Sequence, residues 1–435
     1  MKNSRQTAFE ILKRIQKDNS YSNLVLDSVL NNTELKQVDK AFASALVYGV
    51  VERLITLDFE ISQYLKQPLK KLNPQVLVIL RMGAYQLLFM EKIPASAAIN
   101  ESVKLAKSNG ISFAAGLVNA VLRKISVNGL TETDDLAIKY SAPKWLIDLW
   151  IRDYGEDNTL KLLDETFGSV ETTLKVNTLR TDYHELEESL NEQGFSTKKS
   201  VVIENAISVN GGGPLHKTAE YSNGLFHVQD IASQLCCKAL DACEGETVLD
   251  ICAAPGGKSF TVAQAMKNKG KIYSMDLYPQ RLELIKKGAE RLGITNIKTV
   301  VNDGSVFNES LPLADKILCD VPCAGLGVIR KKPEIRYKDS AEVDKLPDLQ
   351  YSILCISSRY LKSGGLLIYS TCSLNNDENE NIIKKFLSEH DDFESVRVLP
   401  ELKRHSDDTD YITLMPHLHN CDGFFVAGIR KIKDV

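Results

Sequence analysis

Two cysteines in the second half of the chain follow strand-like apolar runs. Cys372 comes directly after the run GLLIYST at residues 365–371, and Cys323 follows KILCDVP at residues 316–322. Because the carboxyl ends of parallel strands meet at one edge of a sheet, we expect both thiols to lie over one crevice. A glycine-rich turn, DICAAPGGKS at residues 250–259, follows an earlier strand. A nucleotide-like cofactor beside a thiolate suits the methylation of a pyrimidine ring carbon.

The chemistry that these residues predict is the activation of a cytosine by a thiolate. Carbon 5 of cytosine is a poor nucleophile, but addition of a thiolate to carbon 6 makes carbon 5 enamine-like. The reaction then needs an activated thiolate, a group that holds or protonates ring nitrogen 3, and a group that clears the adduct. Cys372, Asp320 and Cys323 can fill these roles in that order. The alternative is that both cysteines are small packing residues, as most buried free cysteines are.

Acidic residues at successive strand ends indicate a cofactor with a positive centre. Asp276 and Asp303 end the second and third strands, where carboxylates can accept hydrogen bonds from ribose hydroxyls and an amino group, and Asp320 ends the fourth. Gly256 and Gly257 would let the backbone approach a ligand, although a lone Gly-Gly turn is weak evidence. The turn lacks the spacing of a phosphate loop. An acidic crevice suits S-adenosylmethionine and makes a nicotinamide dinucleotide the weaker alternative.

The composition is that of a soluble protein with several domains. The chain has 435 residues, of which 43% are hydrophobic and 25% charged, and this length predicts two or three domains. The nine cysteines show no paired zinc-site spacing, so we expect no metal site. With no secretory signal and no apolar run of membrane-spanning length, we expect a cytoplasmic protein without membrane contact.

Periodicity divides the chain into three predicted domains. Residues 1–130 have helical apolar spacing and carry 17 Lys and Arg against 10 Asp and Glu, a net charge of +7 that favours RNA contact. Residues 141–230 predict a small α/β domain. Residues 231–435 alternate strand and helix, which predicts a mostly parallel sheet covered on both faces. The helices predicted in the first domain are 23–30, 39–65, 74–90, 95–107 and 113–125. The strands predicted in the last domain are 247–251, 271–276, 297–302, 316–319 and 365–370, with possible antiparallel edge strands at 393–398 and 424–430.

Several blocks of sequence resemble known families. DKAFASALVYGV at residues 39–50, IPASAAINESVKLAK at 93–107 and FAAGLVNAVLRK at 113–124 resemble the NusB family of RNA-binding helical domains. DICAAPGGKS, DVPCAGLG at residues 320–327 and STCSLNNDENE at residues 370–380 resemble the signature blocks of RNA cytosine-5 methyltransferases. With a NusB-like domain in front, the arrangement is similar to the RsmB (Sun/Fmu) family, which methylates one cytosine of bacterial 16S ribosomal RNA.

The resemblance implies a fold, a reaction and a set of site residues. The implied fold is an all-α NusB-like domain, a small α/β domain that contacts RNA, and a Rossmann-like S-adenosylmethionine-dependent methyltransferase domain. The implied target is cytosine 967 of 16S rRNA, free or in a partly assembled small subunit, with no protein partner evident. Cys372 would be the nucleophile and Cys323 would assist product release. The implied S-adenosylmethionine contacts are Cys252, Ala253, Ala254, Pro255, Gly256, Gly257, Lys258, Asp276, Asp303 and Asp320.

Other functions remain open at this stage. An amino-methyltransferase would favour Asn/Asp-Pro-Pro-aromatic after the fourth strand, where this chain has DVPC at residues 320–323. A ribosome-assembly factor that only clamps RNA, or a methyltransferase for another RNA cytosine, are further alternatives. In related DNA enzymes the Pro-Cys thiol is the nucleophile, and the Thr371-Cys372 pair favours the RNA assignment. The basic residues Lys331, Lys332, Arg336 and Lys338 form a loop that could hold RNA phosphates or simply be solvated, and residues 177–180 could touch RNA.

Overall fold

The protein is divided into two compact units. The structure, a computed structural model, describes residues 3–18, 22–168, 170–404 and 409–432. The first unit comprises Met1–Phe167 and Lys331–Lys338, and the second comprises Gly168–Arg330 and Asp339–Val435. The chain therefore leaves the second unit after Arg330 and returns to it at Asp339. The residue ranges of the three predicted domains remain predictions.

The first unit is helical, as its apolar spacing predicts. Asn73 caps the helix Pro74–Phe89 by accepting a hydrogen bond from the backbone N–H of Gln75, and Pro74 occupies its first turn, where its missing N–H costs nothing. The buried residues of the helices up to residue 128 form one apolar core. In chain order the helices are α1 (Ser4–Asp18), α2 (Ser22–Asn31), α3 (Gln37–Glu52), α4 (Leu54–Ser62), α5 (Pro74–Phe89), α6 (Ala95–Ser108), α7 (Ala115–Asn128), α8 (Leu136–Lys139), α9 (Lys144–Tyr154) and α10 (Glu156–Asp164).

One predicted helix is interrupted. The single helix predicted over residues 39–65 is wrong, because α3 and α4 are separated by Arg53 with φ −108° and ψ 21°. The guanidinium of Arg53 lies 3.5 Å from the ring centroid of Phe167 and 4.9 Å from that of Phe89. A break of one residue hardly disturbs the apolar period, so the sequence pattern does not reveal it.

Residues 331–338 fold with the first unit instead of forming an exposed basic loop. Arg336 is 1% exposed. Its guanidinium donates hydrogen bonds to the carbonyl oxygens of Tyr140 and Thr166, each at 3.2 Å. The backbone N–H of Leu54 donates to the hydroxyl of Tyr337 at 3.2 Å. The prediction that Arg336 holds RNA phosphates is therefore wrong, because its donors serve buried carbonyl groups.

The second unit begins with a small antiparallel sheet. Its strands are β1 (Thr172–Val176), β2 (Phe195–Lys199), β3 (Ala206–Gly211) and β4 (Phe226–Val228), in the order β2-β3-β1-β4. The helices α11 (Tyr183–Glu192) and α12 (Ala219–Ser222) accompany them. Asn177 is fully buried and donates to the carbonyl oxygens of Gly224 and Leu292 at 2.7 and 2.8 Å. The prediction of RNA contact is therefore wrong for Asn177.

The larger sheet has the mostly parallel form that the sequence predicts. Its strands are β5 (Thr247–Asp250), β6 (Lys271–Asp276), β7 (Ile297–Val301), β8 (Ala314–Asp320), β9 (Leu361–Thr371), β10 (Phe393–Val396), β11 (Ile412–Leu414) and β12 (Phe424–Lys431). The order is β10-β12-β9-β8-β5-β6-β7, with β11 also paired to β12. The neighbouring strands β7, β6, β5, β8 and β9 are parallel to one another, whereas β12 is antiparallel to β9, β10 and β11. The predicted pairing of the segments 393–398 and 424–430, which makes the sheet mixed, is confirmed by β10 and β12. The prediction of β12 as an edge strand is wrong, since it lies between β9 and β10.

Helices cover both faces of this sheet. They are α13 (Ile231–Leu240), α14 (Gly257–Ala265), α15 (Pro279–Leu292), α16 (Ser340–Val343), α17 (Leu346–Ser358), α18 (Glu380–Glu389) and α19 (Pro416–His419). Successive strand residues point to opposite faces, so Leu318 packs in a core with α13, α14 and α15, whereas Ile317 packs in another with α17 and α18. The strand order reverses between β5 and β8, which is where sheets of this kind form a ligand crevice.

Candidate active site

The two predicted thiols lie against each other. β8 and β9 are parallel neighbours in which Asp320 is paired with Ser370. The loops that leave these strands bring Sγ of Cys323 to 3.2 Å from Sγ of Cys372. The backbone N–H of Gly327 also donates to the carbonyl oxygen of Cys372 at 2.9 Å. The structure thus brings together the two cysteines that the sequence singles out, while their roles remain predictions.

The surroundings make the two thiols unequal. A hydrogen bond from Cys323 lowers the pKa of Cys372, and the charge of Lys258 lowers it further, against burial and the charge of Asp320. The same hydrogen bond is the largest cause that raises the pKa of Cys323, and burial adds to it. Because the thiolate is the reactive form of a cysteine, these shifts favour the prediction that Cys372 is the nucleophile.

Asp320 and Lys258 form an ion pair beside the thiols. The Nζ of Lys258 lies 2.7 Å from Oδ2 of Asp320, and the hydroxyl of Ser370 donates to Oδ1 at 2.8 Å. Burial alone would lower the pKa of Lys258, but the charge of Asp320 raises it overall. The ammonium also lies 5.2 Å from the ring centroid of Phe424. This pairing keeps a cation close to Cys372 and holds the Asp320 carboxylate in place.

The turn from Cys252 to Lys258 connects β5 to α14. Gly256 has φ +109°, a conformation that L side chains rarely adopt, and a Cβ there would lie 2.6 Å from the ring of Phe260. A Cβ on Gly257 would meet nothing closer than 3.8 Å. Packing within the protein therefore requires glycine only at Gly256, and space remains beside Gly257. Arg281 donates to the carbonyl oxygen of Ala254 at 2.7 Å and ties α15 to this turn.

The two other predicted cofactor carboxylates differ in burial. Asp276 is 4% exposed, and its Oδ2 lies 3.0 Å from the guanidinium of Arg281. Its Oδ1 accepts a hydrogen bond from the backbone N–H of Tyr278 at 3.0 Å. Asp303 is exposed and accepts from the hydroxyl and the backbone N–H of Ser305. These two hydrogen bonds lower the pKa of Asp303.

Asp250 is a candidate site residue that the sequence analysis did not assign. It is 1% exposed, and its Oδ2 accepts from the hydroxyl of Ser259 at 2.6 Å. Its Oδ1 is buried and has no hydrogen-bond partner among the described residues. Burial raises the pKa of Asp250 to about 7. An orphaned carboxylate oxygen at the start of the turn suits a cofactor with a positive centre, and the position of Asp250 at the end of β5 was the available signal.

In the parts of the chain that the structure describes, no three His, Cys, Asp or Glu side chains are grouped so that they could hold a metal ion. Across the same residues, every helix is too short or too polar to span a membrane.

Family models match three consecutive parts of the chain. Residues 2–127 match the NusB family, residues 142–216 match the ferredoxin-like domain of RsmF/B-like methyltransferases, and residues 237–430 match the 16S rRNA methyltransferase RsmB/F model. The probable ribosomal RNA small subunit methyltransferase B of Bacillus subtilis is 37% identical, over 98% of both chains. The chain belongs to the RsmB family of 16S rRNA methyltransferases.

Two more comparisons extend this similarity over the full length. The probable RsmB-type enzyme of Synechocystis is 34% identical over 99% of this chain and 100% of its own. The crystal structure of PH0851 has a TM-score of 0.85 at 27% identity, over 98% of both chains. The predicted RsmB family and the three-part fold are thereby confirmed, and the small α/β domain is ferredoxin-like.

Proposed function

We propose that this protein transfers a methyl group from S-adenosylmethionine to carbon 5 of a cytosine in 16S rRNA, through a covalent bond between Cys372 and carbon 6. By family resemblance the target is cytosine 967, and the enzyme acts in the bacterial cytoplasm. The observation that carries the proposal is the 3.2 Å contact between the sulfur atoms of Cys372 and Cys323. One thiol with a lowered pKa beside one with a raised pKa suits attack followed by proton removal.

The chain's own residues supply the nucleophile. The Cys372 thiolate adds to carbon 6 of the cytosine, which forms a carbon–sulfur bond and makes carbon 5 nucleophilic. Asp320 is proposed to hold ring nitrogen 3, and Lys258 keeps that carboxylate oriented. S-adenosylmethionine, when bound, supplies the methyl group that carbon 5 receives. The carbon-5 proton must then leave, and its electron pair expels the Cys372 sulfur.

Cys323 is suited to remove that proton because its pKa depends on Cys372. The hydrogen bond to Cys372 is the largest cause that raises the pKa of Cys323. Once the sulfur of Cys372 is bonded to carbon 6, it no longer carries the negative charge that accepts this hydrogen bond. The pKa of Cys323 should then fall, so that its thiol can lose its proton to solvent and, as a thiolate, take the carbon-5 proton after the adduct has formed.

The cofactor is proposed to bind along the edge that carries the acidic residues. The turn of residues 252–258, with Asp276, Asp303 and Asp320, would hold it, and Asp250 adds a buried oxygen without a partner. Four carboxylates around one crevice suit a sulfonium and an ammonium group better than a phosphate. The target base must leave its stack to reach a thiol in a crevice, so a loop or bulge is the preferred RNA context.

The decisive experiment follows a labelled methyl group. The protein is incubated with methyl-labelled S-adenosylmethionine and either unmodified 16S RNA or partly assembled small subunits, and the labelled nucleoside is identified and mapped. We expect 5-methylcytidine at position 967, absent with Cys372→Ala. Label on the exocyclic nitrogen would indicate an amino-methyltransferase, and label at another cytosine would change the target. Binding of RNA without any label would indicate an assembly factor.

The helical N-terminal residues are proposed to bind RNA. Residues 1–130 carry a net charge of +7, and three exposed lysines, Lys66, Lys70 and Lys71, surround one short turn. Charge reversal is a better test than deletion, because residues 331–338 depend on partners in the same unit. Replacing the three lysines by glutamate should lower the RNA affinity and reduce its salt slope by about three. Lys104→Glu is the control, and an unchanged slope in the triple variant would point to another role for this turn.

A further inference from the structure

Glu378 is a buried carboxylate with hydrogen-bond donors on both oxygens. It is 0% exposed. Its Oε1 accepts from the hydroxyl of Ser373 at 2.6 Å and from the amide of Asn375 at 3.2 Å. Its Oε2 accepts from the backbone N–H of Ala324 at 2.8 Å and from the amide of Gln350 at 2.9 Å. Four donors around one buried carboxylate match the acceptor capacity of the ionised form.

These donors come from both loops that carry the thiols. Ser373 directly follows Cys372, and Ala324 directly follows Cys323. One oxygen of Glu378 therefore binds the loop after β9, and the other binds the loop after β8. Gln350 on α17 strengthens the second connection, because its amide also donates to the carbonyl oxygen of Pro322 at 2.9 Å.

The charge of Glu378 also distinguishes the two sulfur atoms. It is one of the causes that raise the pKa of Cys323, together with the hydrogen bond to Cys372 and burial. The largest causes that act on Cys372 are the hydrogen bond from Cys323, burial and the charge of Asp320. A buried charge is costly to the fold unless it is fully hydrogen-bonded, and here the hydrogen bonds are made to the backbone and side chains that flank the reactive atoms.

We propose that Glu378 is a positioning residue that joins the two thiol loops and sets the spacing of Cys323 and Cys372. The proposal deepens the proposed function and rests on it for its catalytic meaning. The hydrogen bonds that Glu378 accepts among the described residues come from groups next to the two cysteines and not from the sulfur atoms, so it acts through those neighbours. Glutamine at this position would replace one carboxylate oxygen by an N–H₂ group, which cannot accept hydrogen bonds from the donors on that side. The thiol loop on that side would then lose its connection to residue 378.

The test measures thiol reactivity directly, so that it does not depend on methyl transfer. The reduced protein is treated with iodoacetamide between pH 6 and 9, and alkylation of Cys372 and of Cys323 is quantified by peptide mass spectrometry. In the native protein we expect Cys372 to react faster at neutral pH. In Glu378→Gln the ratio of the two rates should fall by about tenfold or more, with a higher pH midpoint for Cys372.

Two further variants control this experiment. Glu380→Gln removes a carboxylate two residues away that pairs with Lys384, and it should keep the native ratio. Gln350→Met removes the amide that donates to the carbonyl oxygen of Pro322 and to Glu378, but it leaves the Glu378 carboxylate in place. It should lower the ratio of the two rates in the same direction as Glu378→Gln, but by a smaller factor. A native ratio and midpoint in a folded Glu378→Gln would overturn the proposal. If circular dichroism shows that Glu378→Gln does not fold, a native ratio of the two rates in Gln350→Met would overturn the proposal instead.

Methyl transfer then separates the two proposals. In Glu378→Gln, single-turnover methylation should slow by about tenfold or more, while the KM for S-adenosylmethionine changes by less than about twofold. If the native protein methylates no RNA but the ratio of thiol rates changes in Glu378→Gln, the proposed function is rejected and the positioning role stays intact. Normal methylation with an unchanged ratio in Glu378→Gln would reject the positioning role alone.

Discussion

The thiol loops and the cofactor carboxylates lie at the same edge of one sheet, but they are held in different ways. Cys323 and Cys372 are flanked by hydrogen bonds that connect β8, β9, α17 and the segment before α18 through Glu378. The carboxylate of Asp303, in contrast, accepts hydrogen bonds from the backbone N–H and the hydroxyl of Ser305, only two residues away. The positions of the two thiols thus depend on residues distant in sequence, whereas the position of the Asp303 carboxylate depends on residues of its own turn.

This difference suggests a division of labour within the site. A thiol must meet one ring carbon at bonding distance, and a displacement of about 1 Å can cost about a hundredfold in rate. A carboxylate that accepts a hydrogen bond from a cofactor tolerates more adjustment. Asp276, buried against Arg281, lies between these extremes. Substitutions in the thiol loops should therefore affect the reaction itself, and substitutions among the carboxylates should mainly affect cofactor binding or stability.

The largest effect is expected at the nucleophile. Cys372→Ala should form no covalent RNA adduct and reduce methyl transfer by at least about a thousandfold, because it removes the thiol that is proposed to add to carbon 6. Gel analysis of the adduct and counting of labelled methyl groups would measure this. Cys355→Ala, on α17, is the matched cysteine control and should remain active. Methylation at the native rate in Cys372→Ala would mean that this thiol is a packing residue.

The second effect separates release from attack. Cys323→Ala should still attack and methylate, but it should fail to eliminate, so a gel-stable protein–RNA complex should accumulate with S-adenosylmethionine. Loss of the hydrogen bond that lowers the pKa of Cys372 should also shift adduct formation to higher pH. Accumulation in Cys372→Ala and its loss in Cys323→Ala would reverse the two roles.

The third effect is a pH dependence of stability that arises from Asp250. Its pKa is raised from 3.8 to about 7 in the folded protein, so between these values the unfolded chain has lost a proton that the folded protein retains. The free energy of unfolding should therefore fall with rising pH in this window, on the order of 2–4 kcal/mol, and level off above pH 7. Urea titrations at several pH values would show this slope in the native protein, and Asp250→Asn should lack it.

The control for that experiment is Asp303, whose pKa is shifted in the opposite direction from that of Asp250. The pKa of Asp303 lies below its usual value, so any stability it contributes is lost only as the solution becomes strongly acidic. Asp303→Asn should therefore leave the slope between pH 5 and 7 unchanged. A native slope in Asp250→Asn would assign the pH dependence to other groups.

The smallest effects compare two cofactor carboxylates. Asp276→Ala should weaken S-adenosylmethionine binding by about 1–3 kcal/mol, because buried hydrogen-bond partners are left unpaired. Asp303→Ala should weaken it by less than about 1 kcal/mol, because exposed partners can bind water instead. Calorimetry of both variants measures the difference. Equal losses would show that burial does not rank these carboxylates, and no loss with Asp276→Ala would remove Asp276 from the site.

Prediction from the sequence succeeded where a residue's place depends on local pattern. Alternating strands and helices predicted the parallel sheet, and the strand ends predicted where Cys323, Cys372 and Asp276 would lie. It failed where partners come from distant segments. Arg336 looked like part of a solvated basic loop, but it is buried among carbonyl groups of the first unit. Glu378 looked like one of several acidic residues in a loop, and nothing local marked it as the carboxylate that joins both thiol loops.

The sequence by itself determined the kinds of elements, the order in which they follow each other, and the reactive residues at the strand ends. These properties depend on apolar period and turn chemistry, which act over a few residues. Only the tertiary structure decided that the two sulfur atoms lie 3.2 Å apart and that Lys258 pairs with Asp320. It also decided that the pKa of Cys372 is lowered while that of Cys323 is raised. Those outcomes depend on which strands become neighbours and on the burial that follows, and both arise only when segments far apart in the chain pack together.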